Sequence, residues 1–366
     1  MQKTALDYAK AVCNTMMRKF EAKDLPPAGR FHYHQGVFLS GMQKISALTE
    51  DDTYFSYIKA WVDSLVDETG YFPVCEEDEL DDYQPAILLF DLYRKTKDKK
   101  YKKAMDRTAE LIKIQRCNQY GGFWHKHPCP NQMWLDGMYM AGPFMTEYGA
   151  SFDYAPFFDT VHLQMRLMYQ HNRDPRTGLL YHAWDAAGVQ EWANPETGCA
   201  PEFWGRAMGW FATAMFDIAE KLPDTYEKKL DFVNVGVELL DAVLKYQDKE
   251  TGLWYQVVDK GQVPGNWHEV SCSCLFLHAM CKAIRMGYLS DSYKPLAKKA
   301  FDGIISTLGY DGEDVFVQKV CIGTGVCTFE GYLARPTSVN DLHGVGAFLL
   351  MCSEYHRAME KQEEAV

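Results

Sequence analysis

The chain has 366 residues, 47% of them hydrophobic, and a formal net charge of −12. That much apolar material excludes a disordered chain and is enough for one large core or two ordinary ones. An acidic balance without a long basic run excludes nucleic acid as a partner, although a few local cations suffice to hold a small anion.

The chain opens on MQKTALDYAKAVCNTMMRKF, which is amphipathic and charged throughout and lacks the continuous apolar region of a signal peptide. No apolar run reaches the ~18 residues of a membrane helix, so no membrane partner is expected. Eleven cysteines, an odd number without CxxC pairs, predict reduced thiols in a cytoplasm rather than a disulfide framework.

Helical period starts at ALDYAKAVCNTMMRKF, with apolar residues every three or four positions. The same period predicts helices over 36–48, 53–66, 83–96, 100–115, 134–148, 155–171, 204–221, 227–246, 270–287, 292–307 and 340–359, about 12 in all. No alternating strand series competes with them. Between some of the helices a phrase returns: TGYFP (69–73), GGFWHK (121–126), TGLLYHAWD (177–185), TGLWYQVVDK (251–260) and a weaker echo, DGEDVFVQKV (311–320). Glycine closes a helix well, and the aromatic run suits a short extended segment. An interval of roughly 50 to 75 residues predicts a repeat of two helices with one long loop. An open solenoid and a closed ring both fit; we favour an all-α, closed (α/α)6 barrel of six helical hairpins, as one domain over residues 1–366.

In that layout the inner-helix starts meet at one mouth. They are FHYHQG (31–36), ELDDYQP (79–85), NQMWLDG (131–137), PEFWGRAMGW (201–210), NWHEVSCS (266–273) and TSVNDLHG (337–344). Six inward helix N-termini would favour an anion. Asp136 stands alone among Trp134, Leu135, Met138, Tyr139 and Met140. Such surroundings predict a carboxyl of raised pKa, able to donate a proton, or else a structural Asp bonded to backbone. Asp81 is a second carboxylate candidate, with Asp82 beside it; either is also an ordinary helix cap. Arg206 suits a carboxylate and Trp204 and Trp210 suit a sugar face, or the three are core and surface residues. Lys126, His182 and His343 are further candidates whose roles rest on their neighbours. No metal or cofactor motif occurs: HExxH and His/Cys clusters at ligand spacing are missing, and GTGVC (323–327) lacks the ending of a phosphate loop.

Together HKHPCPNQMWLDGMYM, LLYHAWD, FWGRAMGWF and RPTSVNDLHGVGAFLL resemble the unsaturated rhamnogalacturonyl hydrolases, glycoside hydrolase family 105. The resemblance covers nearly the whole chain and implies an (α/α)6 barrel acting on oligosaccharides that end in a 4,5-unsaturated galacturonic acid. It implies Asp136 as general acid, assisted by Asp81, with the alignment open by one residue to Asp82. It places substrate contacts on Lys126, His182, Trp204, Arg206 and Trp210, and near His34, where this chain departs from the family's aromatic; Trp134, Arg335 and His343 are further candidates for substrate binding. The implied chemistry is hydration of a vinyl ether: proton to C4, water to C5, and spontaneous opening of the hemiketal. The expected partner is a small anionic oligosaccharide, with the chain a monomer or weak homo-oligomer and no cofactor. Alternatives are an unsaturated glucuronyl hydrolase of the related family 88, a sugar 2-epimerase using His182 and His343, or a non-catalytic scaffold of helical hairpins.

Overall fold

Local capping decides where the first three outer helices begin. In the computed structural model, which describes residues 3–74 and 79–360, α1 (Ala5–Lys19) starts with a reciprocal capping box between Thr4 and Asp7. Asp51 and Asp98 each accept one backbone N–H at the starts of α3 (Asp52–Asp63) and α5 (Lys99–Lys113). The buried stripe of α5 is Tyr101, Ala104, Met105, Thr108, Ala109 and Ile112, the period of a helix with one covered face.

Most helices of a second set are covered on nearly every side. These inner helices are α2 (Tyr33–Thr49), α4 (Leu88–Thr96), α6 (Asp136–Ser151), α8 (Gly205–Lys221), α10 (Val270–Arg285) and α13 (Leu342–Tyr355). They pack in sequence, with the 3₁₀ turn Gln84–Ile87 ahead of α4 bridging α2 and α6, and α13 returns onto α2. The outer layer is α1, α3, α5, α7 (Pro156–Asn172), α9 (Lys229–Leu244) and α11 (Lys294–Ser306). The fold is therefore the closed (α/α)6 barrel, plus a short α12 (Phe329–Leu333) in the last connection. Connections from inner to outer helices are short. Those from outer to inner are long, and they gather at one rim.

Three details differ from the sequence reading. The 83–96 helix begins as the 3₁₀ turn, with Pro85 in its first turn, where a missing N–H is tolerated. The 134–148 helix begins at Asp136, because Gln132–Trp134 is strand β1, paired antiparallel with β2 (Ala183–Asp185). The weak echo at 311–320 forms the hairpin β3 (Gly309–Asp311) and β4 (Asp314–Phe316). The other four phrases share one turn. Gly70, Gly121, Gly178 and Gly252 lie at φ between +76° and +84°. Three or four residues earlier Asp67, Asn118, Asp174 or Asp248 accepts the turn's N–H groups, as from Thr251 N–H to Asp248 at 2.7 Å.

Ten cysteines are free thiols and most are buried; Cys75 lies outside the described residues. Among the described residues no helix is long and apolar enough to cross a membrane. Strands β5 (Val320–Cys321) and β6 (Thr337–Ser338) pair at the base of the final connection.

Ring closure requires α2 and α13 to touch backbone to backbone. A Cβ placed on Gly346 would lie 2.4 Å from the Val37 carbonyl carbon, and one on Gly41 would lie 2.9 Å from the Gly346 oxygen. Gly346→Ala is expected to lower the unfolding free energy by about 1–3 kcal/mol through overpacking. Urea denaturation followed by circular dichroism measures it, and an unchanged midpoint would show that the two helices have room to part.

Candidate active site

The long connections and inner-helix starts enclose a cavity of about 370 Å³. Its wall includes His34, Asp81, Lys126, Trp134, Asp136, Arg206 and Trp210, all singled out in the sequence. Arg30, His32, Tyr33, Glu79, His125 and Thr324 also line it, and sequence pattern did not mark their roles. Among the described residues the wall takes Asp81 and not its neighbour Asp82, which is fully buried.

Strand register brings the central pair together. Trp134 pairs with Ala183, and one step outward the Leu135 N–H donates to the His182 carbonyl at 3.1 Å. Asp136, the first residue of α6, therefore faces the His182 ring, with Oδ2 3.3 Å from Nε2. Apart from this ion-pair contact, neither of the two atoms has a hydrogen-bond partner among the described residues. On the far side of the ring, Nδ1 lies 2.6 Å from the Tyr332 hydroxyl on α12. His182 is wholly buried, tilted over Trp204 at 4.6 Å, so it stands behind the wall rather than in it.

Asp81 forms the second centre. Its Oδ1 lies 3.5 Å from His125 Nε2, and the His125 ring stacks on Trp134 at 4.4 Å. Lys126 stands 5.0 Å above the same indole, with Nζ 3.8 Å from Glu79. Burial would raise the Asp81 carboxyl, but His125, then His32 and Lys126, outweigh it and hold the group well below the usual carboxylate range. Asp81 and Glu79 in turn hold the Lys126 ammonium above its ordinary value against burial.

Asp136 corrects an expectation. Burial by itself pushes its carboxyl up, as the apolar neighbours predicted. His182, and then His125, more than offset that, and the group sits below its ordinary value. The reason lies in residues 46 and 11 positions away in sequence, which flanking composition does not report.

The remaining candidates hold the wall in place. The buried Arg206 guanidinium lies 4.5 Å from the Trp204 ring and donates to the Cys321 carbonyl and, at 2.8 Å, to that of Ile322. Trp210 stacks on Tyr139 at 4.7 Å. His343 is wholly buried between Asp341 at 2.8 Å and the Cys321 carbonyl at 3.0 Å. Arg335 lies outside the cavity wall and donates to Thr324 Oγ1 at 3.0 Å and to the Gly323 carbonyl, bracing the loop that closes the mouth. His34, in the place of an aromatic, is pushed down to about 3 by burial, with His343 adding to the effect. The anion-attracting helix starts are partly used internally: Glu269 accepts from Ser271 and Cys272 at the start of α10 and from the Cys321 N–H.

Comparison with known proteins bears on the fold and the family. The family model for Glycosyl Hydrolase Family 88 matches residues 8–359. A solved glycoside hydrolase of family 105 from C. acetobutylicum ATCC 824 superposes with a TM-score of 0.91 at 32% identity, covering 95% of this chain and 99% of that one. The unsaturated rhamnogalacturonyl hydrolase YesR of Bacillus subtilis (strain 168) is 28% identical over 315 residues, 82% of each chain. The unsaturated glucuronyl hydrolase of Bacillus sp. GL1 shares the fold, with a TM-score of 0.72 at 14% identity over 97% of this chain and 96% of that one. The protein is a glycoside hydrolase. It belongs to the family 88 glycosyl hydrolases and, with the clostridial enzyme, to family 105.

Arg206→Lys keeps the charge and loses one of the two carbonyl bonds. Each carbonyl keeps another donor, His343 at Cys321 and Thr324 at Ile322, so the loss is that of one hydrogen bond from a charged group, about 1.5–3 kcal/mol. Chemical denaturation should therefore place the variant's midpoint below that of the parent; coincident curves would show that the pair of bonds carries no stability.

Proposed function

We propose that the protein removes a 4,5-unsaturated galacturonic acid from the non-reducing end of rhamnogalacturonan-derived oligosaccharides by hydration of its vinyl ether. One observation carries the reading: a buried carboxylate at the start of α6, paired with His182, borders a cavity that also presents Lys126 and Arg206. The similarity to YesR over 82% of both chains supports the choice of substrate class. The free thiols support a reducing compartment such as the cytoplasm.

A uronate entering the cavity brings a carboxylate to Lys126 and Arg206 and an apolar ring face to Trp134 and Trp210. It also displaces water and sets a like charge near Asp136. Both effects raise the Asp136 carboxyl above its free-enzyme value. Asp136 then takes up a proton and delivers it to C4, leaving an oxocarbenium-like centre at C5. Asp81, held ionised by His125 and Lys126, or the newly ionised Asp136, accepts a proton from the water that adds at C5. The hemiketal opens and releases the aglycone. Bond breaking at the anomeric carbon is not required, so the usual rule on carboxylate separation does not apply.

The epimerase alternative needs two histidines facing the substrate. His182 and His343 are both fully buried and committed to other groups, which favours the hydrolase.

Loss of the unsaturated uronate's ultraviolet absorbance measures turnover, and a panel of rhamnogalacturonan- and glucuronan-type unsaturated disaccharides separates the two substrate classes. Asp136→Asn should reduce kcat by at least ~10²-fold without changing the circular dichroism spectrum; full activity in a folded variant would sink the assignment. The pH profile gives a second check. The basic limb of kcat/KM reports the acid in free enzyme and that of kcat reports it in the complex. Because Asp136 is held low until substrate arrives, the kcat limb should lie at higher pH. Coincident limbs would refute the substrate-induced rise.

A further inference from the structure

We propose that Tyr332, on α12, is a positioning residue that fixes the tautomer of His182 and thereby keeps the acidic proton of Asp136 on the cavity side. The inference rests on the reading of Asp136 as the acid and adds a residue to it.

The chain of contacts runs Cys327, Tyr332, His182, Asp136. The Cys327 N–H donates to the Tyr332 hydroxyl oxygen at 3.4 Å. With that oxygen accepting, the phenol's own hydrogen is left for His182 Nδ1, 2.6 Å away. Burial pushes the phenol well above its ordinary value, so it remains a donor. Burial likewise pushes His182 down, so the ring carries one hydrogen near neutral pH. With Nδ1 accepting, that hydrogen is on Nε2, facing Asp136 Oδ2 at 3.3 Å. Oδ2 is thus an acceptor, and a proton arriving on the carboxyl group sits on Oδ1, the oxygen left for the cavity. In the opposite tautomer the lone pair of Nε2 would face Oδ2. A protonated Asp136 would then spend its hydrogen on His182 instead of substrate.

Tyrosine is well suited to this role. A backbone carbonyl or carboxylate at Nδ1 would accept a hydrogen and impose the opposite tautomer. The hydroxyl donates, and only this hydroxyl, not the ring, is needed for the effect. The ring has its own support: it stacks on Trp204 at 5.7 Å, and the Tyr332 carbonyl accepts from Gln256 Nε2 at 2.9 Å. Tyr332→Phe therefore removes the hydrogen bond and leaves the packing.

The experiment labels histidine with ¹⁵N and reads the His182 ring by NMR, assigned with His182→Gln, in parallel with kinetics. The parent should show the Nε2–H form. Tyr332→Phe should show a mixture of forms, a kcat lower by roughly 10- to 100-fold with KM within twofold, and a displaced kcat–pH profile. In a His182→Gln background the same change should have little further effect on kcat. An Nδ1–H form in the parent overturns the proposal, as does a folded Tyr332→Phe with parental kcat and pH profile. A lower kcat with an unchanged tautomer also overturns it, since that is the result of a merely structural role. The parent's tautomer decides the case even if Tyr332→Phe fails to fold. It is measured without turnover, whereas the acid assignment fails only through Asp136→Asn.

Discussion

A carboxylate buried in the wall of a cavity is the constraint around which this mouth is organised. Without compensation the cost of removing such a charge from water would either protonate Asp136 permanently or prevent the fold. The compensation is a neutral imidazole 3.3 Å from one oxygen and a second histidine, His125, 11 positions before it. This makes Asp136 an anion at rest. In the proposed reaction, an acid held low and released by an arriving uronate would tie protonation to occupancy of the site.

Positioning follows from the ring. Six inner helices closed on themselves force their N-termini to one rim, and the long connections have nowhere else to go. The site is thus assembled from segments far apart in sequence, each delivered by its own hairpin. The two-stranded pairing of β1 with β2 is small, but its register decides the outcome. A slip by one residue would turn Trp134 and the residues after it to the opposite face and separate Asp136 from His182.

The last connection has a different task. Its carbonyls at Cys321 and Ile322 receive Arg206, its Gly323 and Thr324 receive Arg335, and its α12 supplies Tyr332. Cations that sequence pattern alone offered to substrate are thus partly occupied in holding backbone. Arg335 is wholly so employed. Arg206 keeps further N–H donors, since a guanidinium has five and two are committed, and it remains on the cavity wall.

Periodicity by itself determined the long helices and their pairing into hairpins, because burying one helical face requires that spacing whatever lies opposite, but it did not mark the short α12. It also located the inner-helix starts, and the motif phrases there named Asp81, Asp136, Lys126, Trp134, Arg206 and Trp210 before their neighbours were known. The turn phrases were visible as Gly followed by aromatics, while the Asp or Asn that folds each turn lay a few residues upstream and went unread. Tertiary structure alone decided which groups face one another. The depressed Asp136 carboxyl, the commitment of His343 and Arg335 to the scaffold, and the partnership of Tyr332 with His182 across 150 positions all arise that way. A local window reports how apolar a carboxylate's chain neighbours are, and so the cost of its burial. The charges and hydrogen bonds that oppose that cost act through space, and only the closed ring brings them within reach.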